Sequence, residues 1–278
     1  MAGPDLSTWI GREDVSTGEV SEFAACAMAA MLDQQRRFSL GDRLPALWHW
    51  LMPPPALPQA ELGPDGHPAK GGFLPPVPLE RRMWAGGALT FASDLRVGVP
   101  LTRRSVVESV AMKEGRSGPL CFVTVAHSYT QNTQTVLRET HDIVYRDRPK
   151  QTSQATPPPA PGQKAALSQS FRPDSTWLFR YSALTFNGHR IHYDLDHCRR
   201  VEDYPDLVVH GPLIATLLAG LAERVLGRPL SRFSFRATSP LFNGAPFEIF
   251  ASAPDVDGCV SAWALGPEER LAMTAHAA

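Results

Sequence analysis

Residues 181–218 read YSALTFNGHRIHYDLDHCRRVEDYPDLVVHGPLIATLL, and this stretch decides how the fold is interpreted. Towards its end, apolar side chains begin to recur three and four positions apart, which is typical of a helix with one buried face. Pro212 suits the first turn of such a helix because its φ is fixed and it has no N–H to leave unpaired. The sequence therefore predicts a long buried helix over residues 212–226, ended by Gly227 and Pro229.

A polar segment, residues 187–192, precedes this helix and carries groups suited to proton transfer. A histidine titrates near neutrality, so it can accept a proton and return it. The N–H groups at the start of a helix point outward at the positive end of the helix dipole, where they stabilise negative charge. Gly211 has no Cβ and lets a ligand approach its backbone closely. Together these features predict chemistry on a carbonyl whose oxygen becomes anionic.

Three strings of the chain resemble the MaoC-like, (R)-specific enoyl-CoA hydratase family. The family loop reads roughly D-x-N-P-[IV]-H-x-D and precedes an H-G turn that opens the central helix. Five residues fall on that pattern: His192, Asp194, His210, Gly211 and Leu213. The chain departs from it at Asn187, where the family has its catalytic aspartate, and at His189-Arg190, where the family has Asn-Pro.

The variant string TFNGHRIHYD is similar to the two-hotdog branch of this family, as are GFLPPVPLERRMWAGG (residues 72–87) and KEGRSG (residues 113–118). That branch includes hydroxyacyl-thioester dehydratase type 2, mesaconyl-C4-CoA hydratase and itaconyl-CoA hydratase. The resemblance covers nearly the whole chain and implies an α+β double hotdog, in which each half is an antiparallel sheet wrapped around a central helix.

Composition agrees with such an enzyme and excludes other classes. The 278 residues, 43% of them hydrophobic, suffice for one large or two small domains. A net charge of −1 gives no field for nucleic acid or an acidic membrane, and no apolar run reaches membrane-spanning length. Four scattered cysteines indicate reduced thiols, and the N-terminus lacks an apolar signal core, so we expect a cytoplasmic protein.

The order of predicted elements divides the chain into two halves. The segment QTSQATPPPAPGQK (residues 151–164) is a polyproline spacer. We therefore expect an N-terminal hotdog-like domain (residues 1–150) that shapes the acyl pocket, a linker (151–170) and a C-terminal hotdog domain with the catalytic loop (171–278). The first half is predicted to contain a helix over 16–35 and strands over 88–91, 106–113, 120–130 and 135–145. The second half is predicted to contain a strand over 177–182, helices over 194–200 and 212–226, and strands over 232–237, 246–253, 259–265 and 270–276.

Adding water to a double bond conjugated with a thioester needs a proton-transfer group, a water-positioning group and a donor to the oxyanion. His192 is the expected proton-transfer residue, and the N–H of Gly211 is the expected oxyanion donor. Asn187 can orient the water but cannot take up a proton at neutral pH. Asp194 either replaces the missing carboxylate or caps the short helix that follows it.

A second group of residues is expected to bind the substrate. Arg190 pairs either with a free carboxylate of the substrate or with Asp194, and His189 lies beside it. Arg81 and Arg82 are adjacent, and only one of two adjacent side chains in an extended segment can face a given ligand. We select Arg82 for this role. The expected substrate-binding residues are Arg190, His189, Arg82, Trp84, Lys113, Arg116 and His210, where Lys113 and Arg116 either hold CoA phosphates or are ordinary turn charges.

The resemblance implies a hydro-lyase that needs no cofactor or metal and acts on an acyl-CoA. Our first prediction is conversion of itaconyl-CoA to citramalyl-CoA, with mesaconyl-C4-CoA and a 3-hydroxyacyl thioester as alternatives. We expect a homodimer or higher homo-oligomer, with no nucleic acid or membrane partner. Two readings from other classes remain: a non-catalytic acyl-CoA binding protein, which the loss of aspartate at position 187 favours, and a thioesterase.

Overall fold

A computed structural model describes residues 5–115, 118–147 and 159–278. The first half of the chain supplies five strands and one helix. They are β1 (Glu13–Gly18), α1 (Glu22–Met31), β2 (Arg81–Phe91), β3 (Leu101–Gly115), β4 (Gly118–Gln131) and β5 (Gln134–Arg146). The four strands predicted here are confirmed and are longer than the sequence patterns that identified them. Strand β1 was not predicted.

The helix predicted over residues 16–35 is wrong at both ends. Residues 13–18 form β1, and α1 starts only at Glu22, because the Ser21 side chain caps it by accepting the Ala24 N–H at 3.1 Å. The helix ends at Met31, two residues before Asp33 takes a positive φ of 54°. Phe23 is 78% exposed, and the buried residues of the helix are Ala25, Met28, Ala29 and Met31.

The second half supplies five strands and three helices. They are β6 (Ala165–Phe171), α2 (Ser175–Thr185), α3 (Leu195–Arg200), α4 (Gly211–Leu226), β7 (Arg232–Ala237), β8 (Phe247–Ser252), β9 (Val260–Leu265) and β10 (Leu271–Ala277). Helix α4 is confirmed as the central helix, and nine of its 16 residues are buried. It packs against β8, β9 and β10, so the sheet wraps around it. Gly227 ends it with a φ of 66°, a conformation that glycine adopts without strain.

The strand predicted over residues 177–182 is wrong, because these residues lie in α2. The Asp174 side chain caps this helix by accepting the Trp177 N–H at 2.7 Å. Leu178, Tyr181 and Ser182 are its buried residues, and their spacing of three and four is that of a helix rather than a strand. The preceding strand, β6, was missed; four of its seven residues are exposed and none is buried, so it lacks the buried alternation of the other strands.

All ten strands belong to one antiparallel sheet, in the order β1-β3-β4-β5-β2-β7-β10-β9-β8-β6. The two halves join where β2 pairs with β7, with Gly87 opposite Phe235. A Cβ on Gly87 would meet the Phe235 ring and the Thr140 carbonyl, so this close crossing requires glycine. The predicted division into two domains thus corresponds to two halves of a continuous sheet.

Of the predicted linker, residues 151–158 lie outside the described residues, and residues 165–170 belong to β6. The domain boundaries stay a prediction. In the part of the chain described, no helix has both the length and the apolar character needed to cross a membrane.

Candidate active site

Two loops, one from each half of the chain, meet backbone to backbone ahead of α4. They are residues 63–67 and residues 187–190. The Arg190 N–H donates to the Asp65 carbonyl at 2.9 Å, and its guanidinium donates to the Pro64 carbonyl at 3.0 Å. Gly66 has a φ of +84°, and a Cβ there would collide with the Gly188 carbonyl. Glycine at both positions is what allows the loops to approach.

The contact between the loops lines up four histidine rings. The rings of His67 and His189 lie 4.0 Å apart between centroids, tilted by 44°. His189 meets His192 edge-on at 5.4 Å, and His192 stacks on His210 at 3.6 Å and 19°. The row therefore runs from the first half of the chain to the residue that immediately precedes α4.

His192 is held in one orientation and left with one ring nitrogen for chemistry. It is 6% exposed, and its Nδ1–H donates to the Val208 carbonyl at 2.8 Å. Because Nδ1 carries the proton in this bond, Nε2 is the nitrogen with a free lone pair. Burial lowers the pKa of His192 to about 4, although the bond to Val208 opposes the shift. The ring is therefore neutral at pH 7 and able to accept a proton.

His210 supports His192 from behind. It is fully buried, shares a 2.9 Å hydrogen bond with the Ser182 hydroxyl and touches Tyr181 edge-on. Burial holds the pKa of His210 well below its usual range. The substrate-binding role expected for His210 does not fit this position, because no surface of the ring is open to a ligand.

Gly211 begins α4, with His210 as its N-cap residue. A Cβ built on Gly211 would meet nothing within 4 Å, so space is open beside this backbone. The stack of His192 on His210 brings the imidazole next to the same helix start. A proton acceptor therefore lies beside the start of the helix, where the positive end of the helix dipole stabilises negative charge. That the two groups act together on a thioester stays a prediction.

Asn187 and Asp194 both have local structural partners. The Asn187 Oδ1 accepts the His189 N–H at 3.0 Å, which shapes the loop. One carboxylate oxygen of Asp194 caps α3 by accepting the His197 N–H at 2.9 Å. The other accepts two bonds from Arg190, at 2.7 and 3.0 Å. Of the alternatives open for Asp194 and Arg190, the geometry supports capping and mutual pairing.

Asp65 and His67 are part of the site and were missed in the sequence. The His67 ring donates through Nδ1 to Asp65 Oδ2 at 3.1 Å, and the His67 backbone N–H donates to Asp65 Oδ1 at 3.1 Å. Burial alone would raise the pKa of Asp65, but the bonds from His67 hold it well below its usual range. Burial, reinforced by Arg82, lowers the pKa of His67, while its bond to Asp65 opposes that shift. The signal available was the string D-G-H-P, which looks like an ordinary turn.

Burial and the neighbouring histidine His67 lower the pKa of His189 to about 2. The whole row of rings is therefore neutral at pH 7, and the Asp65 carboxylate, bonded to His67, is a negative charge beside it. A ring of this row that accepts a proton becomes a cation in a largely desolvated place, where a nearby carboxylate has a large effect.

The two adjacent arginines of β2 face different surroundings. The Arg81 guanidinium pairs with Glu202 at 2.9 Å and lies 5.2 Å from the Tyr204 ring centroid. Arg82 points to the paired loops, where its charge lowers the pKa of Asp65, His67 and His189. Of this pair, Arg82 is therefore the residue whose charge reaches the paired loops, and its substrate-binding role stays a prediction.

The remaining predicted residues lie farther along the sheet or outside the described part. The Trp84 ring packs on His141 at 4.0 Å, and its Nε1–H donates to the Gly86 carbonyl at 2.8 Å. On β3, the Lys113 ammonium lies 4.9 Å from the centroid of the Phe122 ring of β4. Arg116 lies outside the described residues. A CoA-binding role for Lys113 and Arg116 stays a prediction.

Asp65, His67 and His189 also offer potential ligand atoms within 4.8 Å of one another. A two-histidine, one-carboxylate set suits several divalent metals. Here, however, the Asp65 carboxylate is bonded directly to the His67 ring, and that ring packs on His189 with 4.0 Å between the centroids. The expectation of a metal-free site stays a prediction that chelation will test.

A second buried polar cluster was not anticipated. The Glu139 carboxylate, fully buried, accepts from Trp50 at 2.8 Å and His141 at 2.7 Å on one oxygen, and from Tyr129 at 2.9 Å and His49 at 3.0 Å on the other. Burial alone would raise the pKa of Glu139, but His141 and His49 hold it well below its usual range. This carboxylate is therefore a buried anion with four donors.

Solved structures show the same architecture. A MaoC-like dehydratase superposes with a TM-score of 0.70 over 98% of both chains, at 14% identity. A Mycobacterium tuberculosis protein described as having a double hotdog fold superposes with a TM-score of 0.62, at 15% identity, over 96% of this chain and 95% of that one. The predicted double hotdog fold is confirmed.

Sequence relatives are closer. The mesaconyl-C(4)-CoA hydratase of Chloroflexus aurantiacus is 43% identical over 99% of this chain and 98% of its own length. The mitochondrial hydroxyacyl-thioester dehydratase type 2 of Schizosaccharomyces pombe is 27% identical over 74% of this chain and 76% of its own. The family model for hydroxyacyl-thioester dehydratase type 2 matches residues 47–243. This chain is a hydro-lyase and belongs to the hydroxyacyl-thioester dehydratase type 2 family.

Proposed function

We propose that this enzyme adds water reversibly to the double bond of a short dicarboxylic enoyl-CoA, with mesaconyl-C4-CoA as its substrate and no cofactor. The proposed substrate is supported by the 43% identity to a mesaconyl-C(4)-CoA hydratase over almost the full length of both chains. It favours one of the alternatives left open by the sequence over our first prediction, itaconyl-CoA. The half-buried Arg82 offers a positive charge for the free carboxylate of either substrate.

In the proposed reaction, His192 Nε2 takes a proton from water while the water oxygen bonds to the β-carbon. The electrons of the double bond move onto the thioester oxygen, which the Gly211 N–H stabilises at the start of α4. Protonated His192 then gives the proton to the α-carbon, and the ring returns to its neutral form. The Val208 carbonyl holds Nδ1–H throughout, so the same nitrogen performs both transfers.

The test follows the absorbance of the conjugated thioester. Wild type, His192→Ala and the control His276→Ala, whose ring is exposed on β10, are each given mesaconyl-C4-CoA, itaconyl-CoA and crotonyl-CoA. We expect mesaconyl-C4-CoA to lose its absorbance fastest, His192→Ala to lower kcat by about 10²–10⁴-fold, and the control to match wild type.

Three outcomes would contradict the proposal. Full activity of His192→Ala removes the catalytic assignment. Release of free thiol without hydration identifies a thioesterase, and tight binding without loss of absorbance identifies an acyl-CoA binding protein. Preference for itaconyl-CoA changes the substrate and leaves the reaction class intact.

A further inference from the structure

Hydration needs a second polar group that binds the attacking water beside His192. The catalytic loop has no free carboxylate for this purpose. Asn187 cannot accept a proton at neutral pH, and its Oδ1 is already bonded to the His189 N–H. Both oxygens of Asp194 are occupied, by the end of α3 and by Arg190. Neither residue from the catalytic loop supplies the missing function, so another part of the chain must do so.

We propose that His67 is a second catalytic residue, which accepts a hydrogen bond from the water that His192 deprotonates, and that Asp65 is the residue that positions it. The proposal rests on the proposed function, because it concerns the same water and the same site. It assigns to the first half of the chain a direct part in the reaction.

The tautomer of His67 supports this role. Its Nδ1–H donates to Asp65 Oδ2 at 3.1 Å, so the lone pair lies on Nε2. His192 is arranged in the same way, with Nδ1–H on the Val208 carbonyl. The site therefore contains two imidazoles that are both fixed through Nδ1. A carboxylate behind an imidazole orients the ring and stabilises it when it carries positive charge.

The position of His67 is set by the loops that meet between the two halves. Gly66 packs against the Gly188 carbonyl, and the Asp65 carbonyl accepts the Arg190 N–H at 2.9 Å. The His67 side chain is 27% exposed, whereas His192 is 6% exposed. His67 thus lies at the more exposed end of the row of rings.

The groups that face His67 determine the pH range in which its Nε2 can accept a hydrogen bond from water. Asp65 favours its protonation, whereas burial and the Arg82 guanidinium oppose it, and His189 packs against its ring as a neutral group. The balance lowers the pKa of His67, so its Nε2 lone pair is available at pH 7. Protonation in acid removes the lone pair and with it the bond to water.

The step balances without any further reactant. Water places one hydrogen on His192 Nε2 and points the other at His67 Nε2. The first is transferred as the oxygen bonds to the β-carbon, and it reaches the α-carbon from His192. The second stays on the oxygen and becomes the hydroxyl hydrogen of the product. His67 ends as it began.

The experiment compares His67→Ala, His67→Gln and Asp65→Asn with wild type on mesaconyl-C4-CoA, with Asp196→Asn on the exposed face of α3 as control. We expect His67→Ala to lower kcat about 100-fold and to change KM less than about threefold. His67→Gln keeps an acceptor oxygen and should recover part of the loss. Asp65→Asn removes the group that favours protonation of His67, so the acidic limb of the kcat profile should move to lower pH.

Three results would overturn this proposal, and a fourth would overturn the proposed function. If wild type is active and His67→Ala keeps kcat within about twofold, His67 is not catalytic. Equal losses in His67→Ala and His67→Gln, with an unmoved acidic limb in Asp65→Asn, indicate a structural role alone. Loss of wild-type activity on chelation, restored by zinc, makes Asp65 and His67 metal ligands. A wild type that hydrates none of the thioesters refutes the proposed function instead.

Discussion

At the scale of single residues, the sequence predicted which groups lie close together only when they belong to neighbouring segments of the chain. His192 and Gly211 were predicted from a loop and the helix that follows it, and the stack of His192 on His210 brings them together. Asp65 and His67 were not predicted, because more than a hundred residues separate them from the loop they complete. The paired glycines, Gly66 and Gly188, and the hydrogen bonds of Arg190 bring the two segments into contact, and a single sequence does not reveal such a pairing.

Gly66→Ala tests that pairing. The added Cβ would collide with the Gly188 carbonyl and displace the loop that carries His67. Because an error of about 1 Å in position can cost about 10²-fold, we expect kcat/KM to fall by at least about tenfold while the protein stays folded. Gly41→Ala is the matched control, since Gly41 has the same positive φ, +85°, with nothing within 4 Å of a Cβ. Equal kcat/KM in the two variants would show that the contact does not position the site.

Arg82→Gln tests recognition of the free carboxylate. Charge-assisted hydrogen bonds contribute about 1.5–3 kcal/mol, so KM for mesaconyl-C4-CoA should rise about 10–100-fold. KM for crotonyl-CoA, which has no second carboxylate, should change less. Arg232→Gln, exposed on β7, serves as control. A similar rise for both thioesters would assign Arg82 to another part of the substrate.

At the scale of elements, the alternating strands were predicted well, whereas α2 was predicted as a strand and α1 was given the wrong ends. Strands β7 to β10 lie within a residue or two of their predicted bounds. Helix α2 was misread because capping by Asp174 and packing decide its structure. The polar residues on the inner face of β5, Glu139 and His141, look like surface residues in sequence, and their shared cluster depends on β4 and on the turn that carries His49.

Glu139→Gln tests whether this cluster stabilises the first half. An amide presents one acceptor oxygen and two donor hydrogens to a place where four donors converge, so several bonds are lost. We expect the free energy of unfolding to fall by about 3 kcal/mol, measured by urea denaturation. Glu108→Gln, on the exposed face of β3, is the control and should be near neutral. Unchanged stability in Glu139→Gln would mean that the buried charge costs as much as its bonds contribute.

At the scale of the whole molecule, the double hotdog was predicted from family resemblance and from the matching order of elements. The join was not predictable, because pairing of β2 with β7 depends on long-range register and on Gly86 and Gly87. Homo-oligomeric assembly and a cytoplasmic location stay predictions.

Buried neutral histidines predict how stability depends on pH. The pKa values of His127 and His192 are lowered, mainly by burial, to about 3 and about 4 from 6.5. The unfolded chain binds these protons below pH 6.5 and the folded chain does not, so stability is complete above that pH and declines as the pH falls towards 4. Each ring contributes a slope of up to about 1.4 kcal/mol per pH unit. The urea concentration at the unfolding midpoint should decrease when the pH is lowered from 7 to 5. The decrease should be smaller in His127→Asn than in wild type. Equal midpoints of wild type at pH 7 and pH 5 would contradict this explanation.

The meeting of residues 63–67 with residues 187–190 has a consequence for how the enzyme behaves on dilution. Two separate subunits that share a site come apart at low concentration and lose activity together. Here the peptide chain tethers both contributors, so turnover per molecule should stay constant from micromolar to picomolar enzyme, whatever larger assembly forms. A decline in that range would reveal that a neighbouring copy takes part after all.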